Sequence, residues 1–337
     1  MGALTTADQI SDIAFGFMGS KALFAALEQG VFSHLSKGPM SADDLAARTD
    51  LDTPRAETLL TALAGLGLVS VADGRYANSP AADAFLVTGA KYDFGDYLRL
   101  QVGRQMYGLL DQIEPALTGR LPEDATGSYA EWFSDPEQAR IYSESQHAGS
   151  LGPARQLAKS IDLSGVRTML DVGGGTGAFA ITLCGAAPGL RATIVDFPNV
   201  AALGRSHVEA AGLSDRISYV EGNALEAEWP EAQDLILMSY LFSGVPGEAH
   251  PGLMRRAWDH LAPGGRLLVH DFVVDPDRTG PRLAALWQLQ HTAFTPEARS
   301  LDAATLVDEL RGAGFDEVGI DEMIPRMTKL AVARKPA

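Results

Sequence analysis

Apolar and polar positions follow one rhythm in the first half of the chain and another in the second. Between 8 and 35, Ile10, Ile13, Phe17, Leu23, Leu27, Val31 and Leu35 recur at helical intervals. Ser41, followed by Asp43 and Asp44, marks a helix start: a side-chain oxygen can cap free N–H groups, and negative charge complements the helix dipole. A further helix is predicted after Pro54, carrying Leu59, Leu60, Leu63 and Leu66 to Gly67. LVSVADGRYAN then reads as a hairpin, with two short apolar runs around Asp73-Gly74. Residues 92–160 predict more helices, with 119–127 as a loop. From there the pattern changes. Short β-branched or leucine-rich runs at 168–172, 192–196, 217–220, 234–239 and 266–272 alternate with helix-length stretches at 177–186, 199–211 and 250–262. Repeated βαβ units predict a mostly parallel sheet covered on both faces. Two last strands, 315–321 and 328–334, read as an antiparallel hairpin closing one edge. The division this implies is 1–100, 101–160 and 161–337.

Composition narrows the class. The 337 residues are 46% hydrophobic and 21% charged, the balance of a globular chain with a sizeable core. Helix, helix, hairpin is a winged-helix order, and one reading of it is DNA binding. The charge argues against that: 27 basic against 43 acidic residues leave −16, which repels phosphate backbones, and the hairpin offers only Arg75 as a cation. A dimerisation or lid module is the expectation, with no nucleic-acid partner. The start lacks the basic region and apolar run of a signal peptide, and no stretch approaches the ~18–20 apolar residues of a membrane span. Cys184 stands alone, so no internal disulfide is expected and a reducing compartment fits. A cytoplasmic protein without membrane association is the expectation.

LDVGGGTGAFA, residues 170–180, carries the chemistry. A strand ends, glycines follow at Gly173, Gly174, Gly175 and Gly177, and a helix begins. The chain there must turn tightly and let a ligand approach its backbone, and the helix start offers free N–H groups. Asp196, at the end of the next strand, can accept hydrogen bonds from both hydroxyls of a ribose. Gly173, Gly175 and Ala178 also satisfy the dinucleotide pattern G-x-G-x-x-A, so NAD is a rival ligand. Asp171 ahead of the glycines, where a carboxylate can meet an amino group, and the closing hairpin favour S-adenosylmethionine (SAM).

With these motifs in place the chain resembles the class I SAM-dependent methyltransferases, within them the small-molecule O-methyltransferases of the plant caffeate and bacterial polyketide type. The likeness runs through the winged helix, DVGGGTG, Asp196, EGNAL, LAPGGRLLVHDF and the closing hairpin. It implies an α/β fold: a Rossmann-like methyltransferase domain behind a mainly helical, winged-helix dimerisation domain, assembled as a homodimer. By that likeness Asp171, Gly173, Gly175 and Gly177 hold the methionine part of SAM. Asp196 binds the ribose, Asn223 and Ala224 flank the adenine, and Ser239 lies beside the cofactor. S-adenosylhomocysteine (SAH) is the implied product. The family usually has Asp where Asn223 stands; either side chain can hydrogen-bond.

A second departure concerns the base. Phenol-methylating members usually carry a His-Asp pair after the fourth strand, where Ser243 and Gly244 stand here. At pH 7 only about one phenol in a thousand is ionised, a deficit of roughly 4 kcal/mol, which a positioned base removes. Substitute bases are His291, His147, His270 and Asp271; His250 and His260 are expected on a solvent-facing helix. Alternatively the acceptor atom is carbon: HDFVVDPDRTGP and QHTAFTP resemble bacterial C-methyltransferases of aromatic amino acids or their keto acids. A third reading keeps the fold and the SAM without methyl transfer. A metal is not expected. Candidate walls for a flat aromatic acceptor are Tyr97, Met106, Tyr107, Phe133, Phe242, Trp287 and Phe294, with Arg104, Arg140 or Arg299 to pair a carboxylate. The function these readings favour is SAM-dependent methylation of a small aromatic natural product, leaning to carbon, with phenolic oxygen as the alternative.

Overall fold

A computed structural model of the chain describes residues 3–121, 129–295 and 297–337. They form two compact units, Met1–Tyr107 and Gly108–Ala337. Residues 101–107, expected in the middle region, belong to the first unit. The reason is the helix they sit on: the π-helical turn Tyr97–Met106 carries Arg99 and Arg104, and both pair with Glu28 of the helix Gly16–Glu28.

The first unit contains the expected short helices Ala42–Ala46 and Thr53–Gly65, followed by β1 (Val69–Ala72) and β2 (Arg75–Asn78). Ser41 caps the first of these helices in a reciprocal box with Asp44. Asp73 and Gly74 both have positive φ, the geometry of a tight two-residue hairpin. Arg75 is taken by the Pro39 carbonyl and the Asp44 carboxylate. The predicted helix over 8–35 is broken into Ala7–Ala14, Gly16–Glu28 and Val31–Leu35. Its later part is core, with Phe24, Ala26, Val31 and Leu35 buried, whereas Ile10, Ile13, Phe15, Phe17 and Met18 are all more than half exposed.

The second unit is built on a seven-stranded sheet, β5-β4-β3-β6-β7-β9-β8. Its strands are β3 (Thr168–Val172), β4 (Arg191–Asp196), β5 (Ile217–Glu221), β6 (Gln233–Ser239), β7 (Leu261–Asp271), β8 (Asp316–Ile324) and β9 (Thr328–Arg334). The first five run parallel; β9 pairs antiparallel with β7 and β8 with β9. The expected closing hairpin is therefore present. β3 lies between β4 and β6, so the chain order reverses at its carboxyl end, the place where an open α/β sheet forms a crevice. Apolar layers cover both faces, one around Met238, Met254 and Leu306, the other around Leu183, Leu235 and Leu268. Asp171, Asp196, Ser239 and Asp271 all stand at or near carboxyl ends of parallel strands.

The two histidines expected to face solvent do not: His260 is half-buried beside Trp229. His250 is fully buried, not solvent-facing. Its Nε2 lies 2.9 Å from the Phe242 carbonyl and its Nδ1 3.2 Å from Arg299, so both ring nitrogens are satisfied in the interior. Among the described residues no single helix is long and apolar enough to cross a membrane.

Candidate active site

The glycine loop turns out of β3 beneath a cavity at the reversal point. Gly174 tolerates no side chain: a Cβ there would lie 2.5 Å from the Asp171 carboxyl carbon. Gly177 starts the helix Ala178–Ala186 with φ +82°, and a Cβ would come within 2.8 Å of Ile194. Loop and carboxylate are thus packed against each other, and β4 is packed against the loop. Tyr219 of β5 fastens the turn by donating its hydroxyl to the Gly175 carbonyl, 3.1 Å away.

Two carboxylates face this cavity. Asp196 is held by N–H groups, Gly175 donating to Oδ2 at 2.7 Å and Phe197 to Oδ1 at 2.8 Å. Burial still lifts it to about 6. Asp171 is wholly buried, and neither carboxylate oxygen has a hydrogen-bond partner of normal geometry. Burial, then the charge of Asp196, push it up to about 7, and the Ala180 amide opposes this only weakly. A cation beside Asp171 would relieve the strain of an ionised carboxylate in that position.

Asp171, Gly173, Gly174, Gly175, Asp196, Asn223, Ala224 and Ser239 line this same cavity, so all the singled-out donor-side residues but Gly177 meet there. Asn223 forms an Asx-turn, its Oδ1 accepting from the Leu225 N–H at 3.0 Å. Ser239 Oγ is 2.8 Å from His270 Nδ1. The other wall is aromatic: Tyr129, Phe133, Tyr142, Phe179, Phe197 and Tyr240 line it, and only Phe133 was singled out beforehand. The missed signal was helical spacing. Tyr142, Ser143, Gln146 and Ser150 share one face of the helix Pro136–Ser160 and present it to the cavity. Gln146 donates to the Tyr142 hydroxyl at 3.1 Å, and that hydroxyl is 3.5 Å from the Tyr129 hydroxyl.

None of the candidate bases is among the described lining residues. His147 Nδ1 sits 2.7 Å from Thr176 Oγ1, and its ring stacks on His207 at 3.9 Å. Burial pulls it down to about 4. His291 is buried, donates Nδ1–H to the Trp287 carbonyl at 3.1 Å within its own helix, and is likewise pulled to about 4. His270, fully buried between Ser239 and Thr328, is pulled to about 3. Asp271 is buried and pushed up by burial; it accepts from the Ser243 N–H at 3.0 Å and the Phe272 N–H at 2.7 Å, fastening the turn after β6. The expected acceptor walls disperse too. Phe242 is core, edge-on to His250. Trp287 stacks on Phe272 at 4.4 Å. Tyr97, Met106 and Tyr107 belong to the first unit, where Tyr107 packs on Phe24 under Lys21. The side chain of Phe294, and residues 122–128 of the expected loop, lie outside the described residues. Arg104, Arg140 and Arg299 are each paired with glutamates of the chain: Glu28, Glu137 with Glu144, and Glu309. No group of three or more metal-ligating side chains occurs among the described residues.

The comparison with known proteins decides the class. An O-methyltransferase domain matches residues 123–316, more than half the chain, and an O-methyltransferase dimerisation domain matches 11–88. The chain belongs to the O-methyltransferase family. It is a methyltransferase, and SAM is its donor. The 3-hydroxy-5-methyl-1-naphthoate 3-O-methyltransferase of Streptomyces sahachiroi is 34% identical over 92% of this chain and 89% of that protein. The N,N-dimethyltransferase OxyT of Streptomyces rimosus is 30% identical over 94% and 92%. Among solved structures, the methyltransferase of calicheamicin biosynthesis in its SAH-bound form is 26% identical, covers all of both chains and superposes with a TM-score of 0.81. The exposed stripe at Ile10, Ile13, Phe15, Phe17 and Met18 overlaps the matched dimerisation domain.

Proposed function

We propose that this methyltransferase transfers the methyl group of SAM to a hydroxyl of a flat aromatic natural product, working as a homodimer through its N-terminal unit. The observation that carries the proposal is the cavity itself: an orphaned, buried carboxylate and a side-chain-free glycine turn on one side, an aromatic wall on the other. The residues fit the donor. Asp171 offers unsatisfied oxygens to a cationic group, Gly173 to Gly175 leave room for the methionine part, and Asp196 at the end of β4 suits a ribose. Asn223 and Ala224 suit the adenine edge. SAM, when bound, supplies an activated methyl on a cationic sulfur. What the chain supplies is alignment and exclusion of water: once the acceptor has given its hydroxyl proton to solvent, at a cost of roughly 4 kcal/mol for a phenol at pH 7, a reacting distance near ~3 Å and a dry space bordered by rings would let its oxygen displace the sulfur, the C–O bond forming as the C–S bond breaks and SAH leaves.

Oxygen is preferred over the carbon to which the sequence leaned, because the family is one of O-methyltransferases. The test is turnover with SAM carrying a labelled methyl against a panel of hydroxynaphthoates, phenols, aromatic amino acids and keto acids. Product ions cleaving as methyl ethers are expected. A label retained on a ring or side-chain carbon would replace the proposal with the carbon reading, and failure of the protein to bind SAH would remove both.

A further inference from the structure

Arg256 has no carboxylate partner in any described ion pair; its guanidinium is spent on a single loop. Nη1 donates to the carbonyls of Ala224 at 3.2 Å and Leu225 at 3.1 Å, and Nη2 donates to that of Ala227. The guanidinium lies over the ring of Trp229, 4.2 Å from its centre, and the Trp229 Nε1–H donates to the same Ala224 carbonyl at 3.2 Å. Trp229 is buried and Arg256 half-buried, and neither lines the cavity. Gly222, Asn223, Ala224 and Leu225 do line it. The other hydrogen bonds shown for their loop are the Gly222 N–H to the Asp196 carbonyl at the end of β4, the Asx-turn of Asn223, and the Glu226 and Ala227 N–H groups returning to the Asn223 carbonyl, while Ala224, Leu225 and Ala227 pack on an apolar layer of the sheet. The surface facing the ligand is therefore backed by one charged side chain that gathers three carbonyls, and by one indole.

We infer that Arg256 and Trp229 are positioning residues for the donor: they clamp the loop 222–227 from behind and so fix the Asn223–Ala224 edge against which the nucleoside rests. The inference depends on the donor occupying this cavity, as proposed above. A charged donor serving three carbonyls is stronger than neutral bonds would be, and its removal leaves the part-buried Leu225 and Ala227 carbonyls without that donor and the Ala224 carbonyl with the Trp229 indole alone.

Calorimetry of the full-length protein with SAH tests it. Wild type must bind SAH first; if it does not, the functional reading fails, and the clamp fails with it. Given binding, Arg256→Met, which keeps an unbranched side chain and removes the guanidinium, should weaken SAH about 10-fold or more. Arg256→Lys should recover part of the loss, and Trp229→Phe, which keeps a ring and removes the N–H, should show a smaller loss. In turnover the loss should appear in KM for SAM with kcat at saturating donor nearly unchanged. Asn223→Ala should also cost less in the Arg256→Met background than in wild type, since the edge it belongs to is already loose. A merely structural role would lower the melting temperature and leave the SAH affinity of the folded protein unchanged. That result, or strict additivity with Asn223→Ala, overturns the inference; should Arg256→Met fail to fold, Trp229→Phe and Arg256→Lys carry the same test.

Discussion

Asp171→Asn should make the ligand-free protein more stable and the enzyme worse. The side chain is fully buried, both oxygens lack partners, and the carboxyl is pushed from its ordinary 3.8 to about 7, first by burial and then by the charge of Asp196. Such a shift corresponds to about 4 kcal/mol. The sign follows from proton binding. Between pH 4 and 7 the folded chain keeps a proton that the unfolded chain has lost, so this residue's contribution to stability falls as pH rises through that window and is flat above it. Asn has nearly the same shape and no charge, and escapes the cost. Thermal unfolding of both proteins without ligand, from pH 4 to 8.5, should show the variant ahead by several degrees above pH 7 and the gap closing toward pH 4. Added SAM should stabilise wild type more than the variant, because its cationic groups offset the buried charge. If the variant is no more stable at pH 8, or its advantage does not depend on pH, Asp171 is not an unpaired buried charge and the account of the cavity is wrong.

Asp196→Ala should abolish measurable SAH binding in calorimetry while the protein stays folded, since it removes both the ribose acceptor and the bonds to Gly175 and Phe197; near-normal affinity would refute the ribose assignment. Gly204→Ala should cost 2 kcal/mol or more in denaturant unfolding, within about the range of overpacked cores, because the new Cβ would fall 2.0 Å from the Tyr219 hydroxyl that holds the glycine loop; a loss smaller than about 0.5 kcal/mol would mean the ring moves freely. Gly244→Asp, which places a carboxylate where the family usually has one of its pair, should lower activity in steady-state assays, since a Cβ at 244 meets the Tyr129 ring at 2.8 Å. Combination with Tyr129→Ala should relieve the clash, and a single variant as active as wild type would show that Tyr129 yields.

The parallel sheet and the glycine turn at the cavity were legible because both depend on local pattern. β3 was read at 168–172 and observed as Thr168–Val172, and the glycine loop needs its residue types wherever it occurs. β7 shows the limit: read from 266, it begins at Leu261, which pairs with Gln233, while Ala262, Pro263 and Gly264 between that pair and Arg266 carry no β signal. The aromatic wall of the cavity was less legible, because it is set by tertiary packing that composition does not encode. Phe242 and Trp287 have the same aromatic character as Phe133, yet the first two stack into cores and only Phe133 borders the cavity. Ile10 and Phe17 carry the same helical period as Val31 and Leu35, but period marks an apolar stripe without saying whether this chain or a second copy covers it.

The histidines near the carboxyl end of the sheet illustrate the same point chemically. A sequence with His147, His270 and His291 close to a cofactor motif invites the search for a base. Burial decides otherwise: with values of about 4, 3 and 4, each is neutral at pH 7, and an imidazole with so low a pKa is a weak proton acceptor. Taking a proton from a phenol near pH 10 onto a group near 4 costs about 8 kcal/mol, more than the deficit a base is meant to remove. What these rings do instead is bridge: His147 to Thr176 in the glycine loop, His270 from Ser239 across to Thr328 on β9, His250 to the Phe242 carbonyl in the turn after β6. Each bridge ends on a segment that borders the cavity or on its neighbour. The low pKa that disqualifies these histidines as bases keeps them uncharged in the interior, which lets them hold such segments in place without a counter-charge.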